Sequence, residues 1–231
     1  MRKTVKIWLV ASLACALFLP VSSSAAWAAG DGGTVAFSLP GVDFVFPFPD
    51  GYCAPTGRYD AQARITAAAD HTNLTDVSYY RCEEMAAGAV STRWGMLKTP
   101  MAMLNSAGTT RAALIDYLKT QINPDDMKKL LADGAKLANE GVHQTLGEGA
   151  NLTADLKALD ADANAAYMGG TVAISADSGQ RLVACVYATT IVKDRVFLLY
   201  LFQRYNDPRD IVDLLAIVRT STAKFVAANG G

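Results

Sequence analysis

The side chains best suited to chemistry are those of two histidines and the cysteines, and their spacing favours structural roles. A hydrolase could pair Cys53 as nucleophile with His71 as base, but nothing near them in sequence would lower the thiol pKa. His71 follows Asp70 at a predicted helix end, where its charge suits the helix dipole. His143 has no His or Cys at ligand spacing. The sequence therefore predicts no catalytic residue, no metal site and no cofactor.

An acidic cluster between positions 148 and 164 matches a metal-binding loop only in part. Asp160, Asp162 and Asn164 place oxygen atoms at alternate positions, as calcium loops do, and Glu148 and Asp155 lie nearby. The segment lacks the central glycine and the closing glutamate of such loops. We therefore interpret it as a solvated acidic turn.

Two further patterns carry little information. Glu83 and Glu84 are adjacent, and in a predicted strand they would point to opposite faces, which makes them a poor acid–base pair. Asn73-Leu-Thr75 and Asn151-Leu-Thr153 match the short glycosylation pattern. Because the N-terminal signal is of bacterial type, we expect no glycan.

The cysteines predict a disulfide in an oxidising compartment. Export would leave Cys53, Cys82 and Cys185, which allow three pairings, a bond between chains, or three buried thiols. Cys53 and Cys82 lie in polar contexts, whereas Cys185 lies in the most apolar segment, so we predict a Cys53–Cys82 bond. Closing a loop of about 30 residues stabilises a fold by about 3 to 4 kcal/mol in the chain-entropy treatment.

The N-terminus predicts export. Three basic residues accompany an apolar core from Ile7 to Leu19, which is too short to span a bilayer stably. Ala26-Trp27-Ala28 fits the small-x-small rule, so residues 1–28 are a predicted signal peptide cleaved after Ala28. Removing those three from the 21 basic residues leaves 18 against 22 acidic ones, a net charge of −4. We expect a periplasmic or secreted protein without stable membrane insertion and without affinity for nucleic acid.

The elements that must position these residues are organised around an apolar stretch from Gln180 to Phe202. Both alternating faces of this stretch are apolar, which is typical of strands covered on both sides. Lys193-Asp194 interrupts the stretch, and each half has strand length. The pattern predicts a central hairpin.

A C-terminal helix is predicted to cover one face of that hairpin. Asp207 is a natural N-cap, Pro208 suits the first helical position, and Asn229-Gly230-Gly231 ends the pattern. The apolar face repeats at helical spacing; it comprises Ile211, Leu214, Leu215, Val218, Thr222 and Phe225.

The preceding chain reads as short strands and helices joined by turns. The predicted strands are Thr34–Leu39, Val42–Phe48, Asp76–Met85, Ser91–Thr99, Leu156–Asp160 after a loop from His143, and Tyr167–Ala176. The predicted helices run from Tyr59 to Asp70, from Thr109 or Thr110 onward, and from Asp125 to about Glu140. Aromatic residues at strand spacing could line a ligand cleft but more often mark a core; they are Phe44, Phe46, Phe48, Tyr79, Tyr80 and Trp94.

The short turns predict an α+β fold with a largely antiparallel sheet covered by helices. A chain that is 51% hydrophobic and 19% charged suits one domain. We place a flexible leader and edge strand at residues 29–41 and a single α+β domain at 42–229.

Three stretches resemble the PsbP-like exported accessory proteins, which form an α/β/α sandwich. They are Phe46-Pro-Phe-Pro-Asp-Gly-Tyr52, the strands from Tyr167 to Phe202, and Asp207-Pro208 at the start of the last helix. The resembling portion runs from Phe44 to Asn229. The resemblance implies a non-enzymatic accessory or binding protein.

Export, a single domain and the lack of a catalytic pattern lead to one functional hypothesis. The chain is expected to be a non-enzymatic envelope accessory or protein-binding domain, with an envelope protein as its partner. Two alternatives remain open: a carrier that holds a small apolar ligand between sheet and helix, and a hydrolase that uses Cys53 or a serine with His71.

Overall fold

The computed structural model describes residues 33–121, 150–176 and 179–231, together with positions 129, 132, 136, 139, 140 and 143. The predicted signal peptide and its cleavage site lie outside these residues, as does most of the helix predicted from Asp125. The six separate positions are all helical.

Nine strands and four helices make up the described elements. The strands are β1 (Thr34–Leu39), β2 (Val42–Pro47), β3 (Tyr52–Cys53), β4 (Asn73–Arg81), β5 (Arg93–Pro100), β6 (Asn151–Ala161), β7 (Ala166–Ala176), β8 (Gly179–Val192) and β9 (Arg195–Arg204). The α-helices are α1 (Arg58–Ala69), α2 (Cys82–Ala86), α3 (Arg111–Asp116) and α4 (Arg209–Ala228), with a 3₁₀ turn at Met101–Met103 and a π turn at Tyr117–Gln121.

The main sheet has seven strands in the order β3-β4-β5-β9-β8-β7-β6, and all neighbours are antiparallel. Strands β1 and β2 form a separate antiparallel hairpin. The predicted α+β class, with a largely antiparallel sheet and a C-terminal helix packed on it, is confirmed.

Strand β9 is the central strand of this sheet, and β8 lies beside it. Cys185 and Tyr187 point to one face and Val186 and Ala188 to the other, and none is more than 2% exposed. Lys193 and Asp194 have positive φ angles of 45° and 58°, as tight hairpin turns require for strands of normal twist. The predicted central hairpin, covered on both sides, is confirmed.

Helix α4 and the β1–β2 hairpin cover one face of the sheet. Phe225 of α4 meets Phe197 of β9 edge to face, with ring centroids 5.0 Å apart. The Asn229 side chain donates 2.8 Å to the Val45 carbonyl and accepts 3.0 Å from the Val45 N–H. This reciprocal pair fixes the helix end to β2.

The start of α4 carries the predicted cap. The helix begins at Arg209, but Pro208 already has helical angles (φ −59°, ψ −20°). The Asp207 carboxylate accepts a 2.6 Å hydrogen bond from the Arg209 N–H. Asp210, just inside the helix, accepts from the Asn206 and Asp207 N–H groups, so both carboxylates satisfy backbone donors at the helix start.

Two predicted strands have different bounds in the structure. The strand predicted to run to Met85 ends at Arg81, because Cys82 begins the short helix α2. Glu83 and Glu84 therefore lie on a helix, and their predicted placement on opposite strand faces was wrong. Strand β6 begins at Asn151 rather than near Leu156, since its apolar and polar residues already alternate there.

Gly95 in β5 allows the Tyr79 ring to cross that strand. The Tyr79 hydroxyl donates a 2.8 Å hydrogen bond to the Tyr200 carbonyl in β9, the strand on the far side of β5. A Cβ atom at position 95 would lie 2.2 Å from the Tyr79 ring. Because the ring is fully buried, it has no space into which to move.

We expect Gly95→Ala to lower the free energy of unfolding by about 1 to 3 kcal/mol through this overlap, as measured by urea denaturation. Tyr79→Leu supplies the matched background, since a shorter side chain does not cross the glycine. In the Tyr79→Leu background, Gly95→Ala should lower the free energy of unfolding by less than half as much as in the parent. Equal costs in both backgrounds would show that the ring contact is not the cause.

Candidate functional site

A buried ion pair joins the end of α1 to β5. The Lys98 Nζ lies 2.7 Å from the Asp70 Oδ2, and the two side chains are 0% and 1% exposed. Asp70 follows the last residue of α1, and Lys98 faces the Tyr200 ring at 6.0 Å from its centroid. The pair is therefore a charged centre in the interior of the protein.

Asp70 is also the acceptor for the turn that follows α1. It receives the N–H groups of Thr72 and Asn73, each at 3.0 Å, the Thr72 hydroxyl at 2.8 Å and the Asn73 amide at 3.1 Å. Burial would raise the pKa of Asp70, but Lys98 and the Thr72 hydrogen bonds outweigh it and hold the pKa below its usual value. The carboxylate is thus kept ionised as a structural anchor.

His71 lies on the surface immediately after this anchor. The neighbouring Asp70, which could orient an imidazole in a catalytic pair, already receives Lys98 and the backbone of the turn. His143 is exposed and has a helical backbone, so the loop predicted to begin at this residue was wrong at that position. The described residues contain no group of three or more His, Cys, Asp or Glu that could hold a metal ion.

Cys53 and Cys82 form a disulfide, with their Cα atoms 5.2 Å apart. The bond joins the short edge strand β3 to the first residue of α2. In this state Cys53 has no thiol to act as a nucleophile. Cys185 lies fully buried in β8, on the face that carries Tyr187.

The carboxylates of α2 hold the segment beside the disulfide. Glu83 pairs with Arg81. Glu84 accepts from the Ser91 hydroxyl at 3.1 Å and from the Thr92 N–H at 3.0 Å, which ties α2 to the residues before β5. Both acids are therefore engaged in local structure.

The acidic cluster contacts the C-terminal helix. Arg219 of α4 pairs with Asp160, and its guanidinium lies over the Tyr167 ring at 5.3 Å from the centroid. Asp162 accepts from the Tyr167 hydroxyl at 2.8 Å and from the Asn164 N–H at 2.7 Å. Asp160 is exposed and Asp162 is half-buried, so the acidic turn is solvated as predicted. In addition, these contacts bridge the β6–β7 turn to α4.

The remaining members of that cluster do not join it. Asp155 is exposed on β6, and Glu148 lies outside the described residues. The glycosylation patterns also differ in placement. Asn73 is 2% exposed and bonded to Asp70, which leaves its amide no room for a glycan, whereas Asn151 is exposed.

The aromatic residues lie in the core. Phe44, Phe46, Phe48 and Tyr79 belong to the layer under α4, each no more than 4% exposed. Tyr80 packs against α1 on the opposite face of the sheet. Trp94 stacks on Phe202 on that same face, with ring centroids 5.3 Å apart. The structure thus agrees with the core interpretation.

Asp76 is a site that the sequence analysis missed. It lies at a β-bulge between Thr75 and Val77 and accepts a 2.7 Å hydrogen bond from the Thr99 hydroxyl. Burial raises the pKa of Asp76 to about 7, against the lowering effect of that bond. This carboxyl group can therefore exchange a proton near neutral pH. A bulge has no reliable signature in a single sequence, so no pattern marked it.

Comparison with known proteins gives a weak fold-level likeness. No protein-family model matches the chain, and no curated protein matches its sequence. The solution structure of cyanobacterial PsbP (CyanoP) from Synechocystis sp. PCC 6803 is similar with a TM-score of 0.38 and 11% identity, covering 87% of this chain and 97% of that chain. The predicted resemblance is confirmed at this weak level. Among the described residues, no helix has both the length and the apolar character needed to cross a bilayer.

We expect Lys98→Met to lower the free energy of unfolding by about 3 to 5 kcal/mol, because it leaves the Asp70 carboxylate buried without its cation. Chemical denaturation measures the loss. Adding Asp70→Asn should recover part of it. Lys224→Met is the matched control, since Lys224 forms an exposed pair with Asp50 at 2.8 Å and should change stability by less than about 1 kcal/mol. Equal losses for the two lysines would contradict the anchoring role.

Asp76 should make the fold less stable as pH rises from about 4 to about 7. The folded state holds this proton to about pH 7, whereas the unfolded chain releases it near pH 4, so deprotonation opposes folding in that window. Asp76→Asn stays neutral. We expect it to match the parent near pH 4 and to exceed it by about 3 to 4 kcal/mol at pH 8.

Urea unfolding at several pH values measures this difference, with Asp213→Asn on the exposed face of α4 as the control. The control should follow the parent at every pH. A constant offset between Asp76→Asn and the parent would refute the assignment.

Proposed function

We propose that the protein is an exported, non-enzymatic domain that binds a protein partner in the cell envelope, in the periplasm or after secretion. The observation that carries the proposal is the Cys53–Cys82 disulfide. It accounts for the compartment, and it also leaves Cys53, the one cysteine that the sequence offered as a nucleophile, without a thiol.

The disulfide indicates an oxidising compartment. Stable structural disulfides form and persist outside the reducing cytosol. The bond here pins a two-residue edge strand that has little pairing of its own, since β3 joins the sheet only through Tyr52 and Cys53. A disulfide at this position stabilises the edge strand only where the bond stays oxidised.

The side chains that could take part in catalysis are engaged in structural contacts. Asp70 pairs with Lys98 and accepts hydrogen bonds from the turn after α1. Glu84 accepts a hydrogen bond from the residues before β5, and Asp162 accepts one within the β6–β7 turn. Each group is therefore restrained by a structural partner rather than poised beside a second catalytic group. This arrangement supports binding rather than bond making as the function.

The partner is expected to be a protein. A net charge of −4 on the predicted mature chain disfavours polyanionic partners such as nucleic acid. The carrier alternative predicts instead a small molecule that stays with the purified protein. The hydrolase alternative requires either a reduced Cys53 or a serine within reach of His71.

Mass spectrometry of the protein taken from its own cell envelope tests the proposal. Without reductant, Cys53 and Cys82 should resist alkylation in denaturant, and reduction should add two alkyl groups at those positions. Under native conditions we expect an added mass of protein size that differs from a multiple of the chain. A small added mass would favour the carrier, and alkylation of Cys53 without reductant would contradict export.

A functional comparison separates binding from catalysis. His71→Ala removes the only base proposed for the hydrolase without touching the disulfide. We expect this variant to retain partner binding and to restore the wild-type phenotype in a deletion strain. Failure to restore it, with partner binding retained, would point to the hydrolase.

A further inference from the structure

Among the residues that the structure describes, strand β6 forms a long open edge of the sheet. Its eleven residues, Asn151–Ala161, pair with β7 on one side only and form the last strand of the order. The opposite edge, β3, has two residues. Open edges of this length present unpaired backbone groups to other chains.

The direction of those groups follows from Leu152. Its N–H donates 2.6 Å to the Asn139 side-chain oxygen, and its carbonyl accepts 2.8 Å from the Asn139 amide. The Leu152 backbone therefore points away from β7. Because direction alternates along a strand, the backbones of Ala154, Leu156 and Ala158 also point outward. No residue that the structure describes hydrogen-bonds to these three.

The open segment is bounded at both ends. At one end, the Asn139 side chain hydrogen-bonds both backbone groups of Leu152. At the other end, the register with β7 shifts between Ala158 and Asp160, and Asp160 pairs with Arg219. The open segment is thus 154–158, and Leu156 is its midpoint.

The charges in this segment are self-complementary about that midpoint. Asp155 and Lys157 flank Leu156, and both are exposed on the same face. In an antiparallel pair of identical strands centred on Leu156, Asp155 of each copy lies opposite Lys157 of the other. A shift of two residues in either direction would place like charges opposite each other, which disfavours pairing. The charges therefore select one register.

We propose that β6 pairs with β6 of a second copy around a twofold axis at Leu156, which joins the two main sheets into one. Leu156 meets its counterpart, and Ala154 meets Ala158 in both directions, so each outward-facing pair exchanges two backbone hydrogen bonds. The apolar layer of Leu152 and Leu156 becomes continuous across the axis. A twofold contact of this kind is closed and stops at the dimer.

Charge reversal tests the register. Lys157→Asp and Asp155→Lys each place like charges opposite each other, so each should weaken dimerisation of the mature protein by about tenfold or more in sedimentation equilibrium. The double variant Asp155→Lys/Lys157→Asp should dimerise as the parent does. An equimolar mixture of the two single variants should form the mixed dimer. Asp213→Lys, which makes the same charge change on α4, should have no effect.

A backbone variant separates edge pairing from a side-chain effect. Ala158→Pro removes an outward N–H without removing a bond to β7, and proline is tolerated on such an edge. We expect a folded monomer, with the parent's circular dichroism. A parent that remains monomeric at every concentration, or single charge variants that dimerise as strongly as the parent, would overturn the proposal.

Discussion

The β8–β9 hairpin has no polar face, and most of the structure serves to cover it. Its residues alternate between two apolar layers, with Leu199 and Leu201 under α4 and Leu198 and Tyr200 on the other side. A strand of this kind is stable only at the centre of a sheet with packed elements on both faces. The position of β9 in the middle of the sheet, the return of α4 and the aromatic hairpin β1–β2 all follow from that requirement.

Covering the hairpin on both faces brings polar groups into the interior, where a group without a hydrogen-bond partner destabilises the fold. Lys98 meets Asp70, the Tyr79 hydroxyl meets the Tyr200 carbonyl, and Asn229 meets the Val45 backbone. Each contact joins elements distant in sequence. An ion pair in such a layer contributes little net stability compared with apolar packing, but losing one partner is costly. These contacts therefore restrict which packing of the layers is allowed.

The features predicted correctly from sequence are those whose cause is local. The turn at Lys193-Asp194, the cap at Asp207 and the apolar periodicity of α4 depend on residues close in the chain. Lys98 illustrates what local patterns do not reveal, because a lysine in a strand normally marks a solvent face, and only the distant Asp70 explains its burial. The helix α2 was hidden for a related reason: five residues are too few to show a helical period.

The two edges of the sheet are closed by different means, and this difference bears on where a partner binds. Strand β3 is short and is fastened by the disulfide to α2, so that edge has almost no backbone to offer. Strand β6 is long, and between Asn139 at one end and the Asp160–Arg219 pair at the other, the described residues that flank its outward backbone groups are the charged Asp155 and Lys157. Charges on an edge block pairing with most strands because few partners match them. They favour a partner whose charges run in the complementary order, and the same strand in antiparallel orientation meets that condition. Guarding against general aggregation and selecting one partner are thus achieved by the same two residues, Asp155 and Lys157.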